Sequence, residues 1–355
     1  MSTWAHVADL PLTIDGYALE PRTLDVSSDF TRATTIIHLA GGGQEGHGED
    51  VVYDTEDHEA AWAGPVLPLA GRHTLASFAE HLAQLEPFPT PPQRDASRNY
   101  RTWAYESAAL DLALRQAGLP LHEALGREPR PVTFVVSLRL GEPPTLEPVL
   151  RRLERYPDLR FKLDATSSWT DELVADLAAT GAVDSVDFKG LYEDTVVDQG
   201  PDPELYRLVA EAFGAAWLED PKLTAQTDPV LAPYRDRITW DANIHAIADV
   251  QALPYVPRMV NVKPSRFGPL KALFDAYDWL EEQGIGAYGG GQFELGPGRG
   301  QIQLLAALFH PDAPNDTSPG DFHVADPPPG LETSPLEPRP LPRGFGRSDV
   351  RRPDG

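Results

Sequence analysis

The 355-residue chain contains no cysteine, which excludes a disulfide framework and any thiolate metal site. It is also poor in basic residues: 30 Lys plus Arg stand against 54 Asp plus Glu, a formal net charge of −24. Such a field repels nucleic acid and anionic bilayers, so neither is an expected partner. No apolar run reaches the roughly 18 residues that a membrane span needs. The opening M-S-T-W-A-H-V-A-D-L-P-L lacks a basic start followed by an apolar stretch, so no signal peptide is expected and the cytoplasm is the expected location. What the chain does have is 41% hydrophobic residues, enough for a large core.

Residues 13–53 read as short strands, best in T-T-I-I-H-L-A (34–40). A Thr-capped helix is expected over 74–86, a break at P-F-P-T-P-P (87–92), and a long helix over 100–118 that stops at Gly118. These elements give a small α+β domain over residues 1–130. Beyond Pro131 short apolar runs alternate with amphipathic helices. Strands are expected at 132–138, 159–164, 183–189, 215–220, 238–243, 259–264 and 285–290. Helices are expected at 145–155, 171–180, 204–213 and 300–309. Serial strand–helix alternation predicts a parallel sheet, and seven strands in series favour closure into a barrel over residues 131–323. The proline-dense segment 324–355 reads as a disordered tail or an extended arm laid over the first domain.

The ends of the barrel strands carry the chemistry. They read Lys162-Leu163-Asp164, Asp187-Phe188-Lys189, Glu219-Asp220, Asp241-Ala242-Asn243 and Asn261-Val262-Lys263. Strand ends of a parallel barrel converge on one face, and alternation points one member of each i, i+2 pair at the axis. Three unpaired carboxylates there would repel one another, and a divalent cation removes that cost. An all-oxygen set with no Cys or His suits Mg²⁺. A bland alternative is that Asp220-Pro221 simply starts a helix. Lys162 and Lys263 stand in otherwise apolar strands; beside a dication their ammonium forms are disfavoured and the free amine becomes a usable base.

The order W-L-E-D-P (217–221), W-D-A-N (240–243), N-V-K-P-S-R-F-G (261–268) and Y-G-G-G-Q-F-E-L-G (288–296) resembles the enolase superfamily, in its branch of muconate-lactonizing enzyme, o-succinylbenzoate synthase and mandelate racemase. G-H-G-E-D (46–50) and A-Y-E-S-A-A-L-D-L-A-L (104–114) extend the likeness into the first domain. The resemblance implies a modified TIM barrel, (β/α)₇β, with an N-terminal α+β capping domain. It implies that Asp187, Glu219 and Asp241 bind one Mg²⁺, that Lys263 is a general acid/base, and that Lys162 serves the opposite face. The implied chemistry is removal of the α-proton of a carboxylate with enediolate stabilisation, in an isomerase or lyase; enzymes of this superfamily pair a Lys or His base with Mg²⁺. Relatives carry Lys-x-Lys on the second strand, so Asp164 replaces a lysine there or rivals Asp187 as ligand; strand order favours Asp187. Lys189 stands where relatives usually show Asn. Lys189, Asn243, Gln292, Glu294 and Tyr53 are candidate substrate contacts, with Arg22 and Arg32 in the segments (22–32 and 50–58) that correspond to the family's specificity loops. His47 and His245 read as solvated loop residues. A catalytically silent barrel that binds a metal or small acid is the alternative, and assembly with further copies stays open. The Gly-rich 289–300 also permits a phosphosugar barrel without metal, though it matches no phosphate-loop fingerprint.

Overall fold

The computed structural model describes residues 2–27, 30–192 and 197–348. Its first part is an antiparallel meander of β2 (Gly16–Ser27), β3 (Phe30–Gly41) and β4 (Gln44–Asp50), beside a two-stranded pair of β1 (Pro11–Ile14) and β5 (Gly71–Thr74). Residues 22–27 and 30–32 are strand, not the specificity loop the resemblance implies: Arg22, Thr23, Leu24 and Asp25 pair with Thr34, Ala33, Arg32 and Thr31. A helix, Leu75–Leu82, starts at Thr74, whose hydroxyl accepts from Ser77 N. The long helix Ser97–Ala117 begins three residues before the expected start and ends at Gly118.

The meander packs on that long helix through β4. A Cβ at Gly46 would lie 2.3 Å from Leu112 N, and one at Gly48 would lie 2.0 Å from Ala104 O. Strand and helix backbones touch directly at both points. The Gly-x-Gly spacing is the condition for that contact, because period two puts both residues on the helix side.

The second part is a parallel series: β6 (Val136–Leu138), β7 (Phe161–Asp164), β8 (Val183–Asp187), β9 (Trp217–Glu219), β10 (Ile238–Thr239), β11 (Met259–Val262) and β12 (Gly286–Gly289). Strands β6 to β10 form one sheet and β11 pairs with β12. The two sets meet where Asn261 N donates to Trp240 O. All seven expected strands exist, each shorter than expected: β6 and β7 start later, and β8 to β12 end earlier. Helices 147–155, 171–179 and 203–212 alternate with them, and the last helix starts at Pro297 rather than 300. Residues 315 and 316 complete the ring: Asp316 N donates to Gly289 O and Val135 N donates to Asn315 O. Leu163, Val186, Leu218, Val260 and Val262 are buried, while the alternating positions Lys162, Asp187, Glu219, Asn261 and Lys263 are buried and polar. The barrel interior is therefore a polar shaft inside an apolar ring.

Two joints hold the parts together. Glu49, at the end of β4, is fully buried and accepts from the backbone N–H groups of Leu295, Gly296 and Gly298, at the start of the helix Pro297–Phe309. A carboxylate suits that positive helix end. Residues 331–348 form an ordered arm: Leu336 and Val132 exchange backbone hydrogen bonds, and Phe345 N donates to Asp111 Oδ1 at 2.7 Å.

Candidate active site

Three neighbouring strands supply the acids in register. Asp187 lies opposite Glu219 across β8 and β9, and Thr239 lies opposite Glu219 across β9 and β10. Two residues past Thr239 comes Asp241. One carboxylate oxygen from each of Asp187, Glu219 and Asp241 falls within 4.8 Å of the others, and all three residues are fully buried. Strands on either side of the trio contribute amines. From β7, Lys162 Nζ donates to Glu219 Oε1 and lies 3.2 Å from Asp187 Oδ2. From the end of β11, Lys263 Nζ donates to Asp241 Oδ2 at 2.8 Å.

Electrostatics follow from this packing. Burial pushes Glu219 well up; Lys162 opposes the shift, while Asp187 and Asp241 add to it. Burial also works to raise Asp187, but Lys189 and Lys162 outweigh it and hold the group at about 2. Asp241 is held well below the carboxylate range against the effect of burial, by Arg266, Lys263 and Lys162. For Lys162 burial disfavours the charge, yet Glu219, Asp187 and Asp241 raise it well above the usual lysine value. The downward shift expected of this amine therefore needs a dication, because the acids alone stabilise its ammonium form. The donor set itself fits a hard dication: three carboxylates, no sulfur or imidazole, and an ammonium already bridging two of them as a cation would.

A second ring holds these groups. Asp220 has φ +49 and accepts from Asp241 N at 2.7 Å and Ala242 N at 2.9 Å. Burial raises it to about 7, helped by Asp187 and Asp241. Rather than starting a helix, as the bland reading had it, Asp220 fixes the backbone of its neighbour Asp241. Tyr288 hydroxyl donates to Glu219 Oε2 at 2.7 Å, and Tyr192 hydroxyl donates to Asp241 Oδ2 at 2.8 Å. Arg266 Nη1 donates to Asp241 Oδ1 at 2.7 Å. Asn261 is 1% exposed and neither its Oδ1 nor its Nδ2 has a hydrogen-bond partner among the described residues. It lies beside Lys263: a Cβ at Gly290 would be 2.7 Å from Lys263 Cε and 3.1 Å from the Asn261 amide.

The remaining sequence candidates divide. Asp164 stands outside the trio, 3.0 Å from Arg139 Nε and 3.4 Å from Lys189 Nζ. Lys189 has φ +53 and places Nζ 2.5 Å from Asp187 Oδ2, so it reaches both acids. Gln292 is buried, accepting from Tyr53 hydroxyl at 3.0 Å and donating to Tyr100 hydroxyl at 3.1 Å. Glu294 accepts from Gln292 N and pairs with Arg299. Asn243 does not join the trio: it is exposed and lines a separate hollow with Leu191, Pro221 and Trp240. Its strand has already ended at Thr239, so its side chain no longer follows the inward alternation. Arg32 is fully buried with its donors spent on the carbonyls of Val51, Val52, Gln292 and Phe293, a bolt between domains. Arg22 is half exposed and pairs with Glu20. His47 sits on β4 and is not a loop residue. Tyr192, Tyr288, Arg266 and Asn261 were not singled out from sequence, although Arg266, Tyr288 and Asn261 lie within the motifs quoted above.

A capped parallel barrel with buried acids at the ends of consecutive strands is the architecture of the enolase superfamily. A dipeptide epimerase from Methylococcus capsulatus, solved with a Mg ion, superposes with a TM-score of 0.64 at 21% identity, covering 88% of this chain and 92% of that one. Among curated relatives, o-succinylbenzoate synthase of Geobacillus stearothermophilus is 27% identical over 296 residues, 78% of this chain and 74% of the relative. N-succinylamino acid racemase of Thermus thermophilus is 26% identical over 315 residues, 83% and 79% of the two chains. The chain belongs to the family described as Domain of unknown function (DUF8230), whose N-terminal domain matches residues 5–124 and whose C-terminal domain matches residues 128–324.

Proposed function

We propose that this protein is a Mg²⁺-dependent enzyme that removes the α-proton of a small carboxylate substrate, leading to isomerisation or β-elimination. The observation that carries the reading is the convergence of Asp187, Glu219 and Asp241 between two lysines. Those three residues would hold the ion, which supplies positive charge where the substrate carboxylate becomes more negative. Lys263 takes and returns the proton. Lys162, locked between Glu219 and Asp187, serves the other face as a fixed ammonium. Asp164 acts through Lys189, steadying an amine that meets the substrate's far anion. Asn261 offers a donor and an acceptor beside Lys263 and orients the reacting end. Residues 1–130 cap the barrel of 131–323, with Tyr53, Gln292 and Glu294 at the joint. The named activities of the relatives, succinylbenzoate synthesis and acylamino acid racemisation, support a small carboxylate as substrate class. Among the described residues no helix is long and apolar enough to cross a membrane; the reading assigns the enzyme to the cytoplasm.

The test is exchange of the α-proton in D₂O, followed by NMR across N-acyl amino acids, dipeptides and acid sugars with Mg²⁺ present. Lys263→Ala is expected to slow exchange by roughly 10²–10⁴-fold while leaving Mg²⁺ binding intact. Undiminished exchange in that variant sinks the assignment. Tight, saturable acid binding with no exchange on any substrate selects a silent binding barrel instead, a reading favoured by the full pairing of Lys162 with acids.

A further inference from the structure

On the capping meander, outside the barrel trio, three strands bring together two imidazoles and two carboxylates. His38 on β3 pairs directly opposite His47 on β4, and the same register sets Ala18 of β2 beside His38. Period two then puts Glu45 on the face of His47 and Glu20 on the face of Ala18. His38 Nδ1 lies 2.5 Å from Glu45 Oε1, and His47 Nε2 lies 2.9 Å from the same oxygen. One ligand atom from each of His38, Glu45 and His47 falls within 4.8 Å of the others.

Each imidazole has its second nitrogen facing another acid. His38 Nε2 is 2.9 Å from Glu20 Oε2, and His47 Nδ1 is 3.7 Å from Asp111 Oδ2. Asp111 is 1% exposed and anchored by the N–H groups of His47 and Phe345. An imidazole whose outer N–H points at a carboxylate is held in the tautomer and orientation that a metal requires, and metal-binding histidines commonly carry this support. Here His38 has that support from Glu20, and both histidines share one carboxylate oxygen of Glu45. Beside them the small residues Gly16, Ala18 and Ala40 leave a hollow of about 430 Å³ that Glu20, His38 and Glu45 also line.

We propose that His38, Glu45 and His47 form a second metal site, for a borderline dication such as Zn²⁺, with Glu20 orienting the His38 imidazole and Asp111 holding the His47 backbone. Two nitrogens and one carboxylate oxygen are a three-protein-ligand zinc set, leaving a fourth position for water or an anion from the hollow. Tetrahedral zinc bonds of about 2.0–2.2 Å separate ligands by roughly 3.3 Å, so the trio opens slightly around the ion while the shared hydrogen bonds through Glu45 are replaced. Side-chain exposures of 24% for His38, 49% for Glu45 and 31% for His47 give the ion a path in. The two sites sort their metals by donor: the barrel's all-oxygen trio takes a hard ion, the imidazoles a softer one.

The test uses Co²⁺ as a spectroscopic stand-in, added to full-length protein already saturated with Mg²⁺. Four-coordinate cobalt with imidazole ligands absorbs visible light far more strongly than six-coordinate, oxygen-bound cobalt. The expected result is one strong band per chain, displaced by one equivalent of Zn²⁺, and retained in Glu219→Gln, which damages only the barrel trio. His38→Gln and, separately, His47→Gln are expected to remove the band and weaken Zn²⁺ binding in calorimetry by at least about tenfold, with an unchanged circular dichroism spectrum because both side chains lie at the surface. Only weak absorption in the wild-type protein, or a band that survives both histidine variants, overturns the site. Loss of the band in Glu219→Gln alone assigns it to the barrel and overturns it equally.

Discussion

Asp220 makes no ion pair with the barrel lysines, yet it governs the site through two backbone hydrogen bonds to the residues that begin the next loop. Its left-handed backbone turns the chain sharply just after Glu219, which lets two adjacent acids do different work: one faces the axis, the other grips the neighbouring strand end. Asp220→Asn is expected to loosen Asp241 and weaken Mg²⁺ binding roughly 10–100-fold, read by calorimetry on the folded variant. The acids and amines were legible in the sequence because each interrupts an apolar strand, and a charge there needs a reason. Tyr192, Tyr288 and Asn261 were not, since tyrosine and asparagine are unremarkable at a strand end. Their role emerges only from the Glu219 and Asp241 oxygens they meet or, for Asn261, from a side-chain amide without a hydrogen-bond partner among the described residues.

At the scale of the element, strand–helix alternation gave the barrel and its order, while boundaries and hairpins escaped. Residues 22–32 correspond to a specificity loop only through the family resemblance; the sequence itself read as strands there, and Arg22–Asp25 pair across to Thr31–Thr34. The contact of β4 with the long helix sets a sharp expectation. Gly48→Ala drives a methyl into Ala104 O and is expected to cost about 1–3 kcal/mol or more, seen as a lower urea midpoint; an unchanged midpoint would mean the strand can lift from the helix. The same helix carries Glu106, 3% exposed, whose carboxylate accepts from Leu270 N at the start of helix 270–283. Burial raises it from 4.5 to about 7, with the Leu270 N–H pulling the other way. Because the folded value is the higher one, the protonated group's contribution is complete below pH 4.5 and disappears as pH climbs through about 7. Glu106→Gln keeps the acceptor without the charge. Its stability relative to wild type should therefore rise between about pH 5 and pH 8.5, by up to roughly 3 kcal/mol, in paired urea titrations.

Across the whole molecule, charge is the dominant fact. A net −24 on 355 residues means that self-repulsion opposes compactness and that added salt relieves it. Thermal midpoints are expected to rise with NaCl, and to rise further with Mg²⁺ at constant ionic strength, since a ligand at 100 times its Kd adds about 2.7 kcal/mol. Salt dependence without a specific Mg²⁺ increment would separate general screening from occupancy of the trio. Closure into a barrel was expected from seven strands in series, but the residues that make it were not, because 315 and 316 are too few to carry any periodicity.

The arm of residues 331–348 has a consequence for how the first domain is packed. Phe345 packs edge-on against Trp103 at 6.1 Å between ring centres, and its N–H feeds the carboxylate of Asp111 on the same helix. The first domain thus receives part of its core from a residue 234 positions further along the chain. A cut in the chain before Phe345 would uncover Trp103 and leave the Asp111 carboxylate short of a donor, so damage to the arm is felt inside the first domain.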